Sequence, residues 1–294
     1  MHVFVPGASG YIGTVVAERL RAAGYEVSGL ARSEVSAARL SAAGVRPIRG
    51  EFSEPSSLSA AARAADGVIN LATTYDATID PPAIDALLDA LAGSGKPLVY
   101  TGGNWLYGDT GGKVLDETSP PHPLERVAWR EKVEERVLGA ASRGVRSVVI
   151  CPTMVYGRGG GVPADFTRSA REEGAARFVG TGENRWPLVH VDDLADLYLL
   201  ALERAPAGTR LFATAGPAIR VRDLAAAASR GAGAGGRTTA TPLAEARKTM
   251  GTDADGLALD QQFSSRRAQE MLGWKPSRPD ALQDLEHGSY ARSA

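Results

Sequence analysis

Short runs rich in β-branched residues alternate with alanine-rich amphipathic stretches through the first half of the chain. Val3–Pro6 is apolar enough for a buried strand, and Tyr11–Ala23 follows with Ile12, Val15, Val16 and Leu20 at helical spacing. The same alternation predicts strands over Glu26–Ala31, Val45–Arg49, Gly67–Ala72, Leu98–Thr101 and Ser147–Cys151. Between them it predicts helices over Ser33–Ala43, Pro55–Ala64, Pro81–Leu91 and, as one long helix, Leu124–Ala141. Strand–helix alternation with short turns implies an α/β fold with a parallel sheet covered on both faces. Past Val155 the rhythm changes. Gly157–Gly161 (GRGGG) reads as a flexible loop, Pro163–Glu173 as a helix and Val189–Val191 as a strand. Asp192 or Asp193 is expected to cap a helix running through Leu202, and the Gly/Ala/Thr-rich stretch Ser229–Thr241 to form a surface loop.

Composition narrows the classes. The 294 residues carry 33 basic and 34 acidic side chains, a formal net charge of −1, which excludes a nucleic-acid partner held by bulk phosphate neutralisation. A lone cysteine, Cys151, forbids an intramolecular disulfide and a cysteine-based metal cluster, and reads as a buried core thiol. With four histidines and no ligand spacing among them, no metal site is expected. No apolar run approaches a membrane span, and MHVFVPGASGYIG lacks the pattern of a secretory signal. The expectation is a cytoplasmic protein, monomer or homodimer, with a small-molecule substrate and no membrane partner.

Gly7-Ala-Ser-Gly10-Tyr-Ile-Gly13 lies between the first strand and the first helix. Gly7 permits the tight turn, Gly10 lets backbone approach a pyrophosphate, and Gly13 lets helix pack on strand, with helix amides facing the negative charge. The GxxGxxG spacing resembles the extended and atypical short-chain dehydrogenase/reductase family, also called the NAD-dependent epimerase/dehydratase family. Thr101–Gly108 (TGGNWLYG), Ile150–Gly157 (ICPTMVYG), Val189–Leu194 (VHVDDL) and Leu272–Pro276 (LGWKP) are similar to further landmarks of that family, in its order. The resemblance implies a Rossmann-type doubly wound sheet. Residues 1–155 would form the dinucleotide-binding core, rejoined by C-terminal segments, and 156–294 mainly the substrate-binding portion. It also implies cofactor contacts from Ser9, Tyr11 and Ile12 in the loop, Glu51, Phe52, Leu71, Ala72 and Thr73 after the third and fourth strands, and Pro152 and Val155. At the end of the second strand, where NAD-preferring members carry an acid, stand Arg32 and Ser33. A planar cation suits a 2′-phosphate, so NADP(H) is favoured over NAD(H).

The family's proton chemistry uses Ser, Tyr and a Lys four residues after the Tyr. Here the Ser position is Gly103. Taking Lys132 as the lysine puts Ala128 at the tyrosine position. Matching Glu134 to the family's downstream glutamate instead puts Arg130 at the lysine and Arg126 at the tyrosine. Neither register supplies a tyrosine. Thr101, Asn104, Tyr107 and Lys132 are the candidate catalytic residues, Tyr107 being the best surviving phenol. Tyr75, Trp105, Tyr156, Arg185, Trp186 and His190 are the candidate substrate contacts. Hydride transfer to an already electrophilic carbon tolerates a missing acid better than reduction of a plain ketone does. The reading is an NADPH-dependent reductase or dehydrogenase of an activated metabolite of enone, quinone or imine type. The alternatives are a non-redox epimerase, isomerase or lyase, and a catalytically silent NADP-binding sensor.

Overall fold

The computed structural model describes residues 1–278 and 280–291. Six strands and five helices alternate through the first half: β1 His2–Val5, α1 Tyr11–Ala22, β2 Glu26–Ala31, α2 Glu34–Ala42, β3 Arg46–Arg49, α3 Pro55–Ala64, β4 Gly67–Asn70, α4 Asp80–Leu91, β5 Pro97–Thr101, α5 Trp129–Gly139 and β6 Arg146–Pro152. The second half adds β7 Met154–Gly157, β8 Gly160–Gly161, α6 Ala164–Glu173, β9 Ala176–Val179, β10 Arg185–Trp186, β11 Leu188–His190, α7 Val191–Arg204, β12 Thr209–Ala213, β13 Ile219–Arg220, α8 Val221–Gly231 and β14 Thr238–Thr241. Helices α9 Leu243–Met250, α10 Asp253–Ala258, α11 Arg266–Leu272 and α12 Ala281–His287 follow.

β12-β6-β5-β4-β1-β2-β3 form one seven-stranded sheet, parallel throughout. The strands read as near-continuous buried apolar runs because both faces are covered: Val3, Phe4, Val5, Val68, Ile69, Val148 and Val149 are all fully buried. One face packs on α1, α2 and α7 through Val15, Val16, Leu20, Leu40, Leu194 and Leu197, and the other on α3, α4 and α5 through Leu58, Leu87, Leu91, Val133 and Val137. A third cluster joins α6, α8 and α12 around Phe166, Trp186, Leu224 and Leu285.

Four expectations about local structure change. The long helix over Leu124–Ala141 is broken: Glu125–Val127 is a 3-10 turn, α5 starts at Trp129, and Ala140–Arg143 is again 3-10. The GRGGG segment is a tight hairpin in which β7 pairs antiparallel with β8, and Arg158 at its tip pairs with Glu18 and with Asp192 at 2.6 Å. Ser229–Thr241 is no loop: α8 runs to Gly231 with Ser229 fully buried, and the threonine-rich end pairs in parallel with β9. Neither aspartate caps α7. His190 does, its Nδ1 accepting the Asp192 amide at 3.2 Å, while buried Asp193 accepts the amides of Ser277 and Arg278 at 3.1 Å each.

Candidate active site

The strand order reverses between β1 and β4, and beyond the carboxyl ends of β4, β5 and β6 the connecting segments open a cavity of about 330 Å³. Leu71, Ala72, Thr73 and Tyr75 leave β4 along one wall; Thr101, Gly102, Gly103, Asn104 and Trp105 leave β5 along another. Pro152 and Val155 close the third, with Tyr11 and Ile12 entering from α1 and Val162 from the far side. Arg130 is the one charged side chain among the lining residues.

The glycine loop passes a steric test for a dinucleotide. A Cβ at Gly13 would stand 1.9 Å from the Gly7 carbonyl oxygen, and one at Gly7 2.7 Å from the Ala72 amide, so helix, loop and the strand end behind them are in backbone contact. A Cβ at Gly10 would meet only the Gly7 oxygen, at 3.3 Å, and its outer side is open. Gly10 starts α1 without a side-chain cap, and the amides of Tyr11, Ile12 and Gly13 find no acceptor among the described residues. That is a ready anion cradle. Ser9 is exposed on the same turn. Arg32 is exposed just past β2 and in no ion pair among the described residues, while Ser33 caps α2 through Ser36. Glu51 is exposed and Phe52 half-buried after β3.

Behind the cavity floor lies a buried polar network. Glu134 is fully buried and pairs with Arg210 at 3.2 Å; its carboxylate occupies the space that a side chain at Gly102 would need, 2.3 Å from the ideal Cβ. Burial pushes the Glu134 carboxyl up, opposed by Arg210, Arg130 and the Gly103 amide. Arg130 donates through Nη2 to the Thr101 carbonyl at 2.8 Å and to the Tyr100 hydroxyl at 3.4 Å. The Thr101 hydroxyl donates to the Asn70 carbonyl and meets the Tyr198 hydroxyl, both at 2.7 Å. Asn104 donates through Nδ2 to Gln261 Oε1 at 2.7 Å, and Gln261 Nε2 returns to the carbonyls of Asn104 and Gly108.

Several candidates stand elsewhere. Tyr107 does not reach the cavity: it is 1% exposed, edge-on to Phe212 and Phe263, and burial raises its hydroxyl pKa. Lys132 is exposed to solvent. It lies two residues, about 200°, around α5 from Arg130, so the two cannot share a face. The register with Arg130 at the lysine position is therefore the one that faces the cavity. Arg185 is held bidentate by Asp260, at 3.0 and 2.8 Å, and Trp186 stacks on Phe166 with its indole N–H on the Leu257 carbonyl. Tyr156 is buried edge-on to His190, whose role is the α7 cap. None of these four lines the cavity. Tyr75 and Trp105 do.

Sequence reading missed three features. Tyr75 takes a positive φ of 57°, with its carbonyl held by Arg126 Nη1 at 2.8 Å and its ring under the guanidinium groups of Arg126 and Arg130. Arg126, at the family's tyrosine position, thus turns to Tyr75 and Asp253. Gln261 and Arg210 come from remote segments with no local motif. Arg130 was within reach of the sequence, since Glu134 four residues on gives the second of the two registers above.

Fold and glycine cradle together define a class, the α/β enzymes that bind a dinucleotide at a sheet's crossover. The sequence pattern of the NAD dependent epimerase/dehydratase family matches residues 3–212, and the chain belongs to that family. It is 33% identical over 99% of its length to the whole of an uncharacterised protein of Schizosaccharomyces pombe. It is 27% identical, over 76% of this chain and 70% of the relative, to the 4-hydroxy-2-methyl-3-oxo-4-farnesyl-3,4-dihydroquinoline-1-oxide ketoreductase of Stigmatella aurantiaca. Among solved structures, the UDP-glucose 4-epimerase of Thermotoga maritima with UDP-glucose superposes with a TM-score of 0.83 at 21% identity, covering 99% of this chain and 97% of that one. That likeness is one of fold.

Proposed function

We propose that the protein is an NADPH-dependent reductase of a small, electronically activated metabolite such as an enone, quinone or imine. The observation that carries this reading is the cavity wall itself. Where the family places its acid, this chain has Arg126 turned away, and Arg130 faces the cavity from the lysine position. The amides at the start of α1 would hold the pyrophosphate, and Arg32, exposed and in no ion pair among the described residues, the 2′-phosphate of NADP(H). Pro152 and Val155 would flank the nicotinamide, which when bound and reduced supplies a hydride. Thr101 has its hydroxyl committed to Asn70 and Tyr198, so the acceptor's heteroatom is left to Asn104, through the Nδ2 proton that Gln261 does not take. With the phenol proton of the usual acid missing, the acceptor oxygen or nitrogen takes its proton from solvent. The ketoreductase name of the Stigmatella relative supports the reductive direction. Residues before 156 supply most of the wall, and the later portion supports it through Val162 and, from behind, Gln261.

The test is NADPH consumption with a panel of plain ketones, enones, quinones and cyclic imines. General acid catalysis contributes about 10²–10⁴-fold, so plain ketones should fall behind activated acceptors by a factor of that order. Plain ketones reduced as fast as enones would show that an acid is present after all. Product formed without NADPH consumption would favour an epimerase or lyase.

A further inference from the structure

We propose that the substrate of this cavity carries a carboxylate on an apolar body, and that Arg130 binds it. The inference rests on the cavity being the substrate site of the reductase described above, and it names the class of molecule that site selects. The walls around Arg130 are apolar, built by Ile12, Leu71, Trp105, Val127, Met154 and Val162. Arg130 is 6% exposed, and its guanidinium is only partly satisfied: Nη2 has two acceptors, Nη1 has none among the described residues, and Nε is buried without one. Its nearest carboxylate, Glu134, sits behind Gly102 and Gly103 and is bonded to Arg210. One glutamate thus serves two guanidinium groups, and among the described residues no carboxylate stands in ion-pair contact with Arg130 at the cavity wall. A buried, unpaired charge is costly, and a ligand that neutralises it gains what the protein leaves open. The planar fork of Arg matches a carboxylate, and the rings of Tyr75, Tyr100 and Trp129, with centroids 5.6, 6.0 and 5.8 Å from the guanidinium carbon, hold the cation in place. Trp105 and Tyr75 offer aromatic surface to the apolar part.

Calorimetry at neutral pH on the NADP⁺-loaded protein, with 2-naphthoate and its uncharged isostere 2-naphthamide, tests this directly. Wild type should bind the carboxylate at least about tenfold more tightly than the amide, the scale of a charge-assisted hydrogen bond. Arg130→Gln should erase the ratio and Arg130→Lys should keep part of it. Equal affinities in wild type, or no binding of naphthoate, overturn the proposal without need of any variant. A ratio that survives in Arg130→Gln overturns it too. If that variant instead weakens NADP⁺ and leaves the ratio intact, Arg130 serves the cofactor. The reductase reading stands or falls separately, on NADPH consumption.

Discussion

Gly10 and Gly13 lie three residues apart on one loop, yet their Cβ positions meet different surroundings, so two alanine substitutions separate packing from ligand cradle. At Gly13 the new methyl would stand 1.9 Å from the Gly7 oxygen, 2.8 Å from the Gly7 carbonyl carbon and 2.9 Å from Ala8 Cα. A comfortable carbon–oxygen approach is about 3.3 Å or more, so backbone must retreat by roughly 1.4 Å. Overpacking costs about 1–3 kcal/mol when side chains can yield; against backbone the upper end applies, and the alanine's helix propensity returns about 1 kcal/mol at most. A net loss near 2 kcal/mol lowers the melting temperature by about 3 °C in a chain of this size. At Gly10 the single neighbour is 3.3 Å away, which a few tenths of an ångström relieve, so Gly10→Ala should melt within about 1 °C of wild type. Its methyl, however, projects where the pyrophosphate must approach, and NADPH affinity should fall at least about tenfold. Differential scanning fluorimetry and calorimetry read the two effects. The reasoning is refuted if Gly10→Ala binds NADPH as wild type does, or if Gly13→Ala melts at the wild-type temperature.

Arg32→Ala should remove a preference for NADPH over NADH of about one to two decades, and calorimetry that finds equal affinities in wild type would dismiss Arg32 as a 2′-phosphate ligand. Asp193→Ala leaves the amides of Ser277 and Arg278 without their acceptor, at a cost of about 2 kcal/mol, visible as a lower urea midpoint with an unchanged slope. His190 is held neutral by burial, so its folded pKa lies below the unfolded 6.5. The unfolded chain therefore takes up the proton first, and this contribution to stability, complete above about pH 6.5, is lost as pH falls from there through the folded pKa. His190→Asn, which keeps a side-chain cap on α7, should flatten that part of the pH–stability curve; an unchanged slope would exclude His190 as its source.

What was legible in the sequence is what is local. The order of strands and helices follows from periodicity, and the glycine cradle from spacing, because each is decided within a few neighbouring residues. The lysine position was open to two readings because α5 has no capping side chain to mark its start, so the face of Arg130 could not be told from that of Lys132. Tyr107 looked available because it follows β5, and only Phe212 and Phe263, distant in sequence, show that it is enclosed. The Asn104–Gln261 pair spans 157 positions and leaves no local trace. By its sequence His190 reads as a substrate contact because two aspartates beside it offer the commoner cap; Asp193 is drawn away by the Ser277–Arg278 backbone.

The place of β12 at the edge of the large sheet, beside β6, bears on how the chain reaches its fold during synthesis. The layer over α1 is built from Val15, Val16 and Leu20 at one end of the chain and from Leu194, Leu197, Leu211 and Trp274 at the other. A nascent polypeptide growing at about 5–20 residues per second must keep that surface exposed for on the order of ten seconds before α7 emerges to cover it. Until β12 follows, the outer edge of β6 offers unpaired amides and carbonyls to any neighbouring strand. Exposed apolar surface of that kind makes an unfinished chain prone to associate with its neighbours. A ribosome stalled before β12 would display a six-stranded, sticky intermediate in place of the finished enzyme.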